Sequence, residues 1–355
     1  MTNFLLAGGG TAGHVNPLLS LADAIKADDS RNRVWALGTK EGLESRLVPA
    51  RGYELLTISK VPLPRQLNSA TLLFPFRFAG SVIRCLQIIK TNQIDAVVGF
   101  GGYASAPAYL AARISRVPIV VHEANALPGW ANKLGARWAA AVGTAFKNTP
   151  INNGFFVGMP LRKEIEGIVA ERNQAKAREF FGLEPNMPTL LVTGGSLGAR
   201  RINEAIDGSR KNLVAAGLQV LHIVGDKSEF LPLSESGYLR IGYCDRMDLA
   251  IAAADLAVSR SGASTVSEFA AVGLPSIFVP YPVGNGEQAL NAAELVAAGG
   301  AIIVADRDFD SDFVANQVVA LASDNRRLAK MTEAAKSVGV ADGTARLLTL
   351  VKGVL

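Results

Sequence analysis

The sequence predicts an α/β protein of two parallel-sheet halves, on three observations. Short apolar runs alternate with stretches of helical periodicity along nearly the whole chain, which is the pattern of βαβ units. The first run of each half ends in a glycine-rich turn, at Gly8-Gly9-Gly10 and again at Gly194-Gly195-Ser196-Leu197-Gly198. The 355 residues exceed one ordinary domain of roughly 150 and leave room for two. Two similar halves, each with a glycine loop, imply a cleft between them.

The opening stretch Asn3 to Pro17 reads as strand, glycine turn, helix, with Val15, Leu18, Leu19, Ala22 and Ile25 at helical spacing. Without Cβ atoms the turn lets backbone approach a ligand, and the helix start offers unpaired N–H groups and a positive dipole end. A tight turn kept for packing alone would look the same. His14 favours the ligand reading, because a histidine at the mouth of such a loop is placed to titrate beside a ligand.

Further strands are expected at 33–39, 53–59, 94–101 and 117–123. In parallel sheets ligands gather at the carboxyl ends of strands, which draws attention to Gly99-Phe100-Gly101-Gly102-Tyr103 and to His122-Glu123-Ala124-Asn125. Turn and cap chemistry is the competing account of Glu123 and Asn125. The pattern pauses near Phe155–Pro160, and Arg162 to Arg178 reads as charged and helical. A boundary near Pro160 divides the chain into residues 1–160 and 161–337, and the final segment, Arg346 to Leu355, is amphipathic. The second half restarts with a strand at 189–193 and continues with runs at 219–225, 239–244, 255–259, 276–280 and 301–305, read as one more parallel sheet.

Two stretches of the second half suit a nucleotide. Ser259 to Glu268, with Arg260 in it, runs from a strand end into a helix whose first amides could bind a diphosphate, with Glu268 accepting from a ribose. A capping box of Thr265 and Glu268 is the structural alternative. Gly284 to Asn291 sets amides and a carboxylate where they could read sugar hydroxyls, or caps the next helix. Asp306-Arg307-Asp308 and Asp308-Phe309-Asp310 have the form of a metal-binding pair, but Asp310 or Ser311 fits a helix cap better. No metal or cofactor is expected.

Composition narrows the class. Hydrophobic content of 49% with 19% charged residues means a large core, and the excess of 36 basic over 31 acidic residues, +5 with a pI near 9.2, is scattered rather than blocked. That pattern argues against nucleic acid and leaves phosphates or an anionic membrane open. Cys85 and Cys244 lack metal-ligand or CxxC spacing and read as buried small hydrophobes in a reducing compartment. The run from Phe4 to Ala7 breaks into glycines at once, which predicts no secretory leader and a cytoplasmic location. Leu72 to Ile89 comes nearest to a spanning helix but is interrupted by Arg77, Arg84 and Gln87. Within it, Leu72–Phe78 is dense in aromatic residues and flanked by Arg65, Arg84 and Lys90, a candidate interfacial anchor, whereas Ile83, Leu86 and Ile89 read as core.

In order and across nearly the whole chain, GGGTAGHVNP, GFGGYASAP, HEAN, GMPLR, TGGSLGARRIN, YCDRMDLAIAAADLAVSRSGASTVSE and GNGEQALNA resemble the MurG family of peptidoglycan glycosyltransferases. The resemblance implies a GT-B glycosyltransferase fold, two Rossmann-like domains with parallel sheets facing a deep cleft. It implies transfer of N-acetylglucosamine from UDP-GlcNAc to the muramyl 4-hydroxyl of lipid I, giving lipid II, with inversion. It places the donor in the C-terminal domain and the acceptor in the N-terminal one, to which the last helix, about 338–355, returns, at the cytoplasmic face of the plasma membrane.

Carried over by resemblance, Thr11, Ala12 and Gly13 are donor or acceptor contacts, Asn125 touches sugar, and Arg162 and Ser196 face the diphosphate. Cys244 lies against uracil through its backbone. Ala263, Ser264, Thr265, Val266, Ser267 and Glu268 form the diphosphate and ribose segment, and Gln288 contacts sugar. Ala124 and Glu287 depart from the family pattern. His14 is the expected general base. Three rivals remain. Gly8-x-Gly10-x-x-Gly13 matches the NAD fingerprint, but Leu37-Gly38-Thr39 ends the second strand without the acidic residue that reading needs. A related GT-B enzyme, either a lipid glycosyltransferase with another acceptor or a UDP-sugar epimerase, is closer. A non-catalytic UDP-sugar binder would leave His14 without a task.

Overall fold

A computed structural model of the chain describes residues 1–61, 69–195, 198–283 and 285–355; the side chains of 69–72 are also outside the description. The chain divides into two compact units, Met1–Arg162 with Asp342–Leu355, and Lys163–Ala341.

The first unit runs β1 (Asn3–Ala7), α1 (Ala12–Asp28), β2 (Arg33–Gly38), α2 (Glu44–Ala50), β3 (Glu54–Thr57), α3 (Ser69–Thr91), β4 (Ala96–Gly99), α4 (Ser105–Ser115), β5 (Ile119–Glu123), α5 (Trp130–Gly135), β6 (Ala141–Thr144) and β7 (Gly154–Phe156). Its seven parallel strands lie in the order β3-β2-β1-β4-β5-β6-β7. Both faces are covered, so alternate residues of one strand enter different cores. Phe4 and Leu6 pack with Val15, Leu18 and Ile25 of α1, while Leu5 and Ala7 pack with Cys85, Ile88 and Tyr109 on the other face.

The second unit holds α6 (Lys163–Ala170), α7 (Gln174–Phe180), β8 (Thr189–Thr193), α8 (Arg200–Gly208), α9 (Arg210–Ala215), β9 (Gln219–Ile223), β10 (Leu233–Glu235), β11 (Tyr238–Ile241), α10 (Met247–Ala253), β12 (Leu256–Ser259), α11 (Ala263–Val272), β13 (Ser276–Phe278), α12 (Glu287–Ala298), β14 (Ala301–Ile303), α13 (Ser311–Phe313), α14 (Val319–Ala322) and α15 (Asn325–Val338). Its sheet order is β10-β11-β9-β8-β12-β13-β14. The last helix, α16 (Gly343–Lys352), belongs to the first unit, where Leu347 and Val351 are fully buried beside α1 and Lys352 meets Asp28 at 2.9 Å.

Four features depart from the sequence expectation. β6, β7 and β10 are strands that the apolar runs did not mark, and β10 pairs antiparallel with β11, so the second sheet is not wholly parallel. The stretch from Arg162 to Arg178 is two helices rather than one. Asn173 starts the second by accepting from the Lys176 amide at 3.0 Å, and the break lets Arg172 and Arg178 reach the C-terminal carbonyls of α10, at Ala252 and Ala253, each at 3.0 Å. Ile83 is 56% exposed rather than core, while Leu86 is half-buried against the core and Ile89 is buried. Finally, the cap of α11 is Gly262, which puts Thr265 inside the first turn and removes the capping-box account of Glu268.

Candidate active site

In each sheet the strand order reverses direction at one place, and there two loops diverge to leave room for a ligand. In the first unit this switch lies between β1 and β4, where Ala7 is in register with Gly99. In the second it lies between β8 and β12, where Thr193 is in register with Ser259. Both sit beside the glycine loops that the sequence singles out.

At the first switch the chain leaves β1 through Gly8–Gly10, and Thr11 caps α1 through backbone geometry alone. The next loop, after β4, closes on it. Gly102 adopts φ +81°, and a Cβ there would come within 2.5 Å of the Gly9 carbonyl oxygen, so the two loops touch backbone to backbone. Ser105, fully buried, stitches the contact: its hydroxyl accepts from the Gly101 amide at 3.0 Å and lies 2.9 Å from the Ala7 carbonyl.

His14, one turn into α1, sets its Nδ1 3.0 Å from the Gly9 carbonyl oxygen. A carbonyl can only accept, so Nδ1 carries the proton in that contact and Nε2 of the neutral ring is the basic nitrogen. Nε2 lies against the backbone of Gly101, where a Cβ would come within 3.2 Å of it and within 3.4 Å of the Asn132 amide nitrogen.

Asn132 connects this corner to the end of β5. Its amide donates to the Glu123 carboxylate at 2.9 Å and its oxygen accepts from buried Tyr109 at 2.8 Å. Glu123, itself buried, also accepts from the backbone amides of Asn125 at 2.8 Å and Gly129 at 3.0 Å, which fixes the 124–129 loop and with it half-buried Asn125. His122 is buried behind the loop, where its Nε2 lies 3.1 Å from the Gly158 carbonyl, and burial pushes its pKa down to about 4. The structure thus brings Thr11, Ala12, Gly13, His14 and Asn125 to one end of one sheet. Arg162, half-buried, closes the first unit's main segment next to Leu161, whose carbonyl accepts from Thr344 at 3.3 Å.

In the second unit the segment Ala263–Glu268 forms the first turns of α11, entered from Ser261 and from Gly262 at φ −64°, ψ 145° without a side-chain cap. The hydroxyls of Ser261 and Ser264 are buried there without a partner, a place where polar groups wait for one. Glu268 is buried on the same helix. The neighbouring helix α12 contributes Gln288, whose oxygen accepts from the Tyr281 amide at 2.9 Å, and Asn291, whose amide reaches the Ser261 carbonyl at 3.3 Å. Cys244 is buried in the loop between β11 and α10, and Cys85 is buried in the first core. Ser196 and Leu197 of the glycine loop and Gly284 before α12 lie outside the described residues, as do Arg65 and the side chain of Leu72.

Of the three aspartates at 306–310, Asp306 and Asp310 are engaged elsewhere, and Asp308 is exposed beside Arg307. Asp306 pairs with Arg260 at 2.5 Å, and that guanidinium also holds the Val279 and Pro280 carbonyls at 2.9 and 3.1 Å. Asp310 caps α13 by accepting from the Phe313 amide at 2.9 Å. Among the described residues no group of three or more His, Cys, Asp or Glu side chains could hold a metal ion.

Sequence reading missed Glu44 and Asn132, and gave Arg260 and Asn291 no role of their own within the two stretches it singled out. Three glycines that crowd the Glu44 carboxylate, Gly9, Gly38 and Gly42, are the only trace it leaves in the sequence.

Comparison with known proteins places the chain in a family. Residues 4–144 match the glycosyltransferase family 28 N-terminal domain and residues 189–347 match the family 28 C-terminal domain. The chain is 56% identical over 353 residues, 99% of its length and 96% of the relative's, to a UDP-N-acetylglucosamine–N-acetylmuramyl-(pentapeptide) pyrophosphoryl-undecaprenol N-acetylglucosamine transferase of Clavibacter sepedonicus. It is 48% identical to the protein of that name from Streptomyces coelicolor, over 98% of this chain and 96% of the relative. Among solved structures it superposes on MurG of Acinetobacter baumannii with a TM-score of 0.79 at 26% identity, covering 99% of this chain and 100% of the other. The UDP complex of Staphylococcus aureus MnaA superposes with a TM-score of 0.71 at 15% identity, over 99% of this chain and 96% of that one, a likeness of fold alone.

Proposed function

This chain belongs to the MurG family of UDP-N-acetylglucosamine–N-acetylmuramyl-(pentapeptide) pyrophosphoryl-undecaprenol N-acetylglucosamine transferases, and from that premise we infer how it works. It transfers N-acetylglucosamine from UDP-GlcNAc to lipid I, forming lipid II. The fold is GT-B, two Rossmann-like units with parallel-sheet cores.

His14 takes the proton of the acceptor's muramyl 4-hydroxyl while that oxygen attacks C1 of the donor sugar and the bond to UDP breaks. The carbon–oxygen bond forms opposite the one that breaks, so the sugar inverts from α to β. Negative charge grows on the departing diphosphate, where the first amides of α11, with Arg162 and Ser196, oppose it. Glu268 accepts from the ribose, the backbone beside Cys244 meets uracil, and Gln288 and Asn125 meet sugar hydroxyls. The observation that carries this reading is the His14 Nδ1 contact with the Gly9 carbonyl at 3.0 Å, which assigns the basic lone pair to Nε2.

The acceptor is lipid-linked, so the first unit meets the cytoplasmic face of the membrane, and α3 is the element suited to it. Leu73, Phe76 and Ile83 recur at helical spacing on its exposed side, edged by Arg77, Arg84 and Lys90. Phe78 packs against the core and Phe74 stacks on it with ring centroids 5.7 Å apart, so the anchor is carried by Phe76 and its stripe rather than by all three phenylalanines. Among the described residues no helix is long and apolar enough to cross a membrane.

The test is release of UDP from UDP-GlcNAc with and without a short-chain lipid I analogue. Release that depends on the analogue, with N-acetylglucosamine recovered on it, supports the reading. Conversion of the donor to another UDP-sugar without transfer would point to an epimerase instead.

A further inference from the structure

One buried carboxylate of the first unit has no place in the reaction as described so far. Glu44 opens α2 with its side chain 1% exposed, and its partners are neutral donors. Oε1 accepts from the Thr39 amide at 2.8 Å and the Thr39 hydroxyl at 2.9 Å, and Oε2 accepts from the Gly10 amide at 2.8 Å. Gly9, Gly38 and Gly42 leave it room, since a Cβ at any of them would overlap the Glu44 side chain.

The Gly10 N–H and the Gly9 C=O belong to the same peptide group. In a trans peptide these two bonds point in opposite directions, and among the described residues every peptide is trans. Turning the N–H onto Glu44 therefore turns the carbonyl away from Glu44, and it meets His14 Nδ1 at 3.0 Å. A negative charge on the N–H side polarises the amide and makes its oxygen a stronger acceptor, so carboxylate, peptide and imidazole form one chain of hydrogen bonds. The arrangement does what a carboxylate does in direct contact with a histidine base, fixing the tautomer and favouring the imidazolium, with one peptide interposed.

We propose that Glu44 is a positioning residue for the transfer: acting through the Gly9–Gly10 peptide, its charge holds His14 with Nδ1 protonated and raises the basicity of Nε2. This rests on His14 being the base. The other groups facing the ring are the Thr11 hydroxyl, 3.5 Å from Nδ1, and the Gly101 backbone. Glu123 stands behind Asn132, and neutral His122 lies deeper. Glu44 is the carboxylate on the Nδ1 side.

The chain has three histidines, and burial pushes His122 down to about 4 and His222 to about 3. In an NMR titration of the labelled full chain, the His14 signal is identified as the one that disappears in His14→Ala. Glu44→Gln should lower its midpoint by about half a unit to one unit. The acidic limb of the kcat/KM profile should move by the same amount, and kcat should fall on the order of tenfold with KM for UDP-GlcNAc unchanged.

Thr39→Val removes one contact to Oε1 but keeps the bond to Gly10, and should lower Tm while leaving the midpoint in place. In a His14→Ala background Glu44→Gln should cost no further rate. A midpoint that stays at the wild-type value in Glu44→Gln, whatever the loss of Tm, overturns the proposal. If Glu44→Gln does not fold, Glu44→Asp withdraws the carboxylate by one methylene and must move the midpoint the same way, or the proposal fails. Full turnover in His14→Ala would instead remove the base assignment, while the titration still decides whether Glu44 and His14 are coupled.

Discussion

Lowering the pH should destabilise the first unit in a way that traces to one residue, His122. Its imidazole is fully buried between the Gly158 carbonyl and the Phe100 ring, and Nδ1 has no partner, so a second proton would place a charge where nothing solvates it. Burial holds its pKa at about 4 against an ordinary 6.5. The unfolded chain therefore binds this proton more tightly than the folded one, and stability is complete above about pH 6.5 and declines as the pH falls toward 4. Taking the two values through the linkage relation, a drop from about pH 7.5 to about pH 5 costs the first unit about 2 kcal/mol. The assay is urea unfolding followed by tryptophan fluorescence, which isolates this unit because all three tryptophans, Trp35, Trp130 and Trp138, belong to it. His122→Asn, which has no proton to gain, should lose most of that pH dependence even if it starts less stable. An equal decline in wild type and His122→Asn, or no decline in wild type, would refute the reasoning.

Three further outcomes follow from the same geometry. Gly102→Ala puts a Cβ 2.5 Å from the Gly9 oxygen at φ +81° and should cost about 1–3 kcal/mol by the same fluorescence assay, with a larger fall in kcat than in UDP affinity. Chelation with EDTA should leave most transfer activity, because Asp306 is held by Arg260 and Asp310 caps a helix; complete loss restored by magnesium or manganese would reassign them. Replacing Leu73, Phe76 and Ile83 with Ser should weaken binding to anionic vesicles while sparing turnover of a short-chain acceptor, and unchanged vesicle sedimentation would return α3 to an ordinary surface role.

The parts of the fold that were legible in the sequence are those written in continuous local patterns. β1, β4, β5 and β8 are apolar runs that end in glycine or polar clusters, and those endings marked both switch points. β10 was not legible because Leu-Ser-Glu is a three-residue edge strand held by one neighbour, and β6 and β7 are similarly short. Asn173 did carry a signal for the break between α6 and α7, an asparagine cap that the surrounding charge pattern obscured.

At the site, His14 and Asn125 stand beside loops that announce themselves. Glu44 and Asn132 act on segments 34 and 9 residues away, Gly10 and Glu123, through single hydrogen bonds, and nothing local in the sequence pairs them. Ile83 misled for a related reason. Its spacing fits a buried helix face, but α3 packs one side against α4 and leaves Ile83 on the other.

The most direct test of the central claim is single-turnover transfer from saturating UDP-GlcNAc to a short-chain lipid I analogue by wild type and His14→Ala. The expected result is β-linked N-acetylglucosamine on the analogue, formed ~10²–10⁴-fold more slowly by His14→Ala at unchanged UDP affinity. Transfer by His14→Ala at the wild-type rate would contradict it.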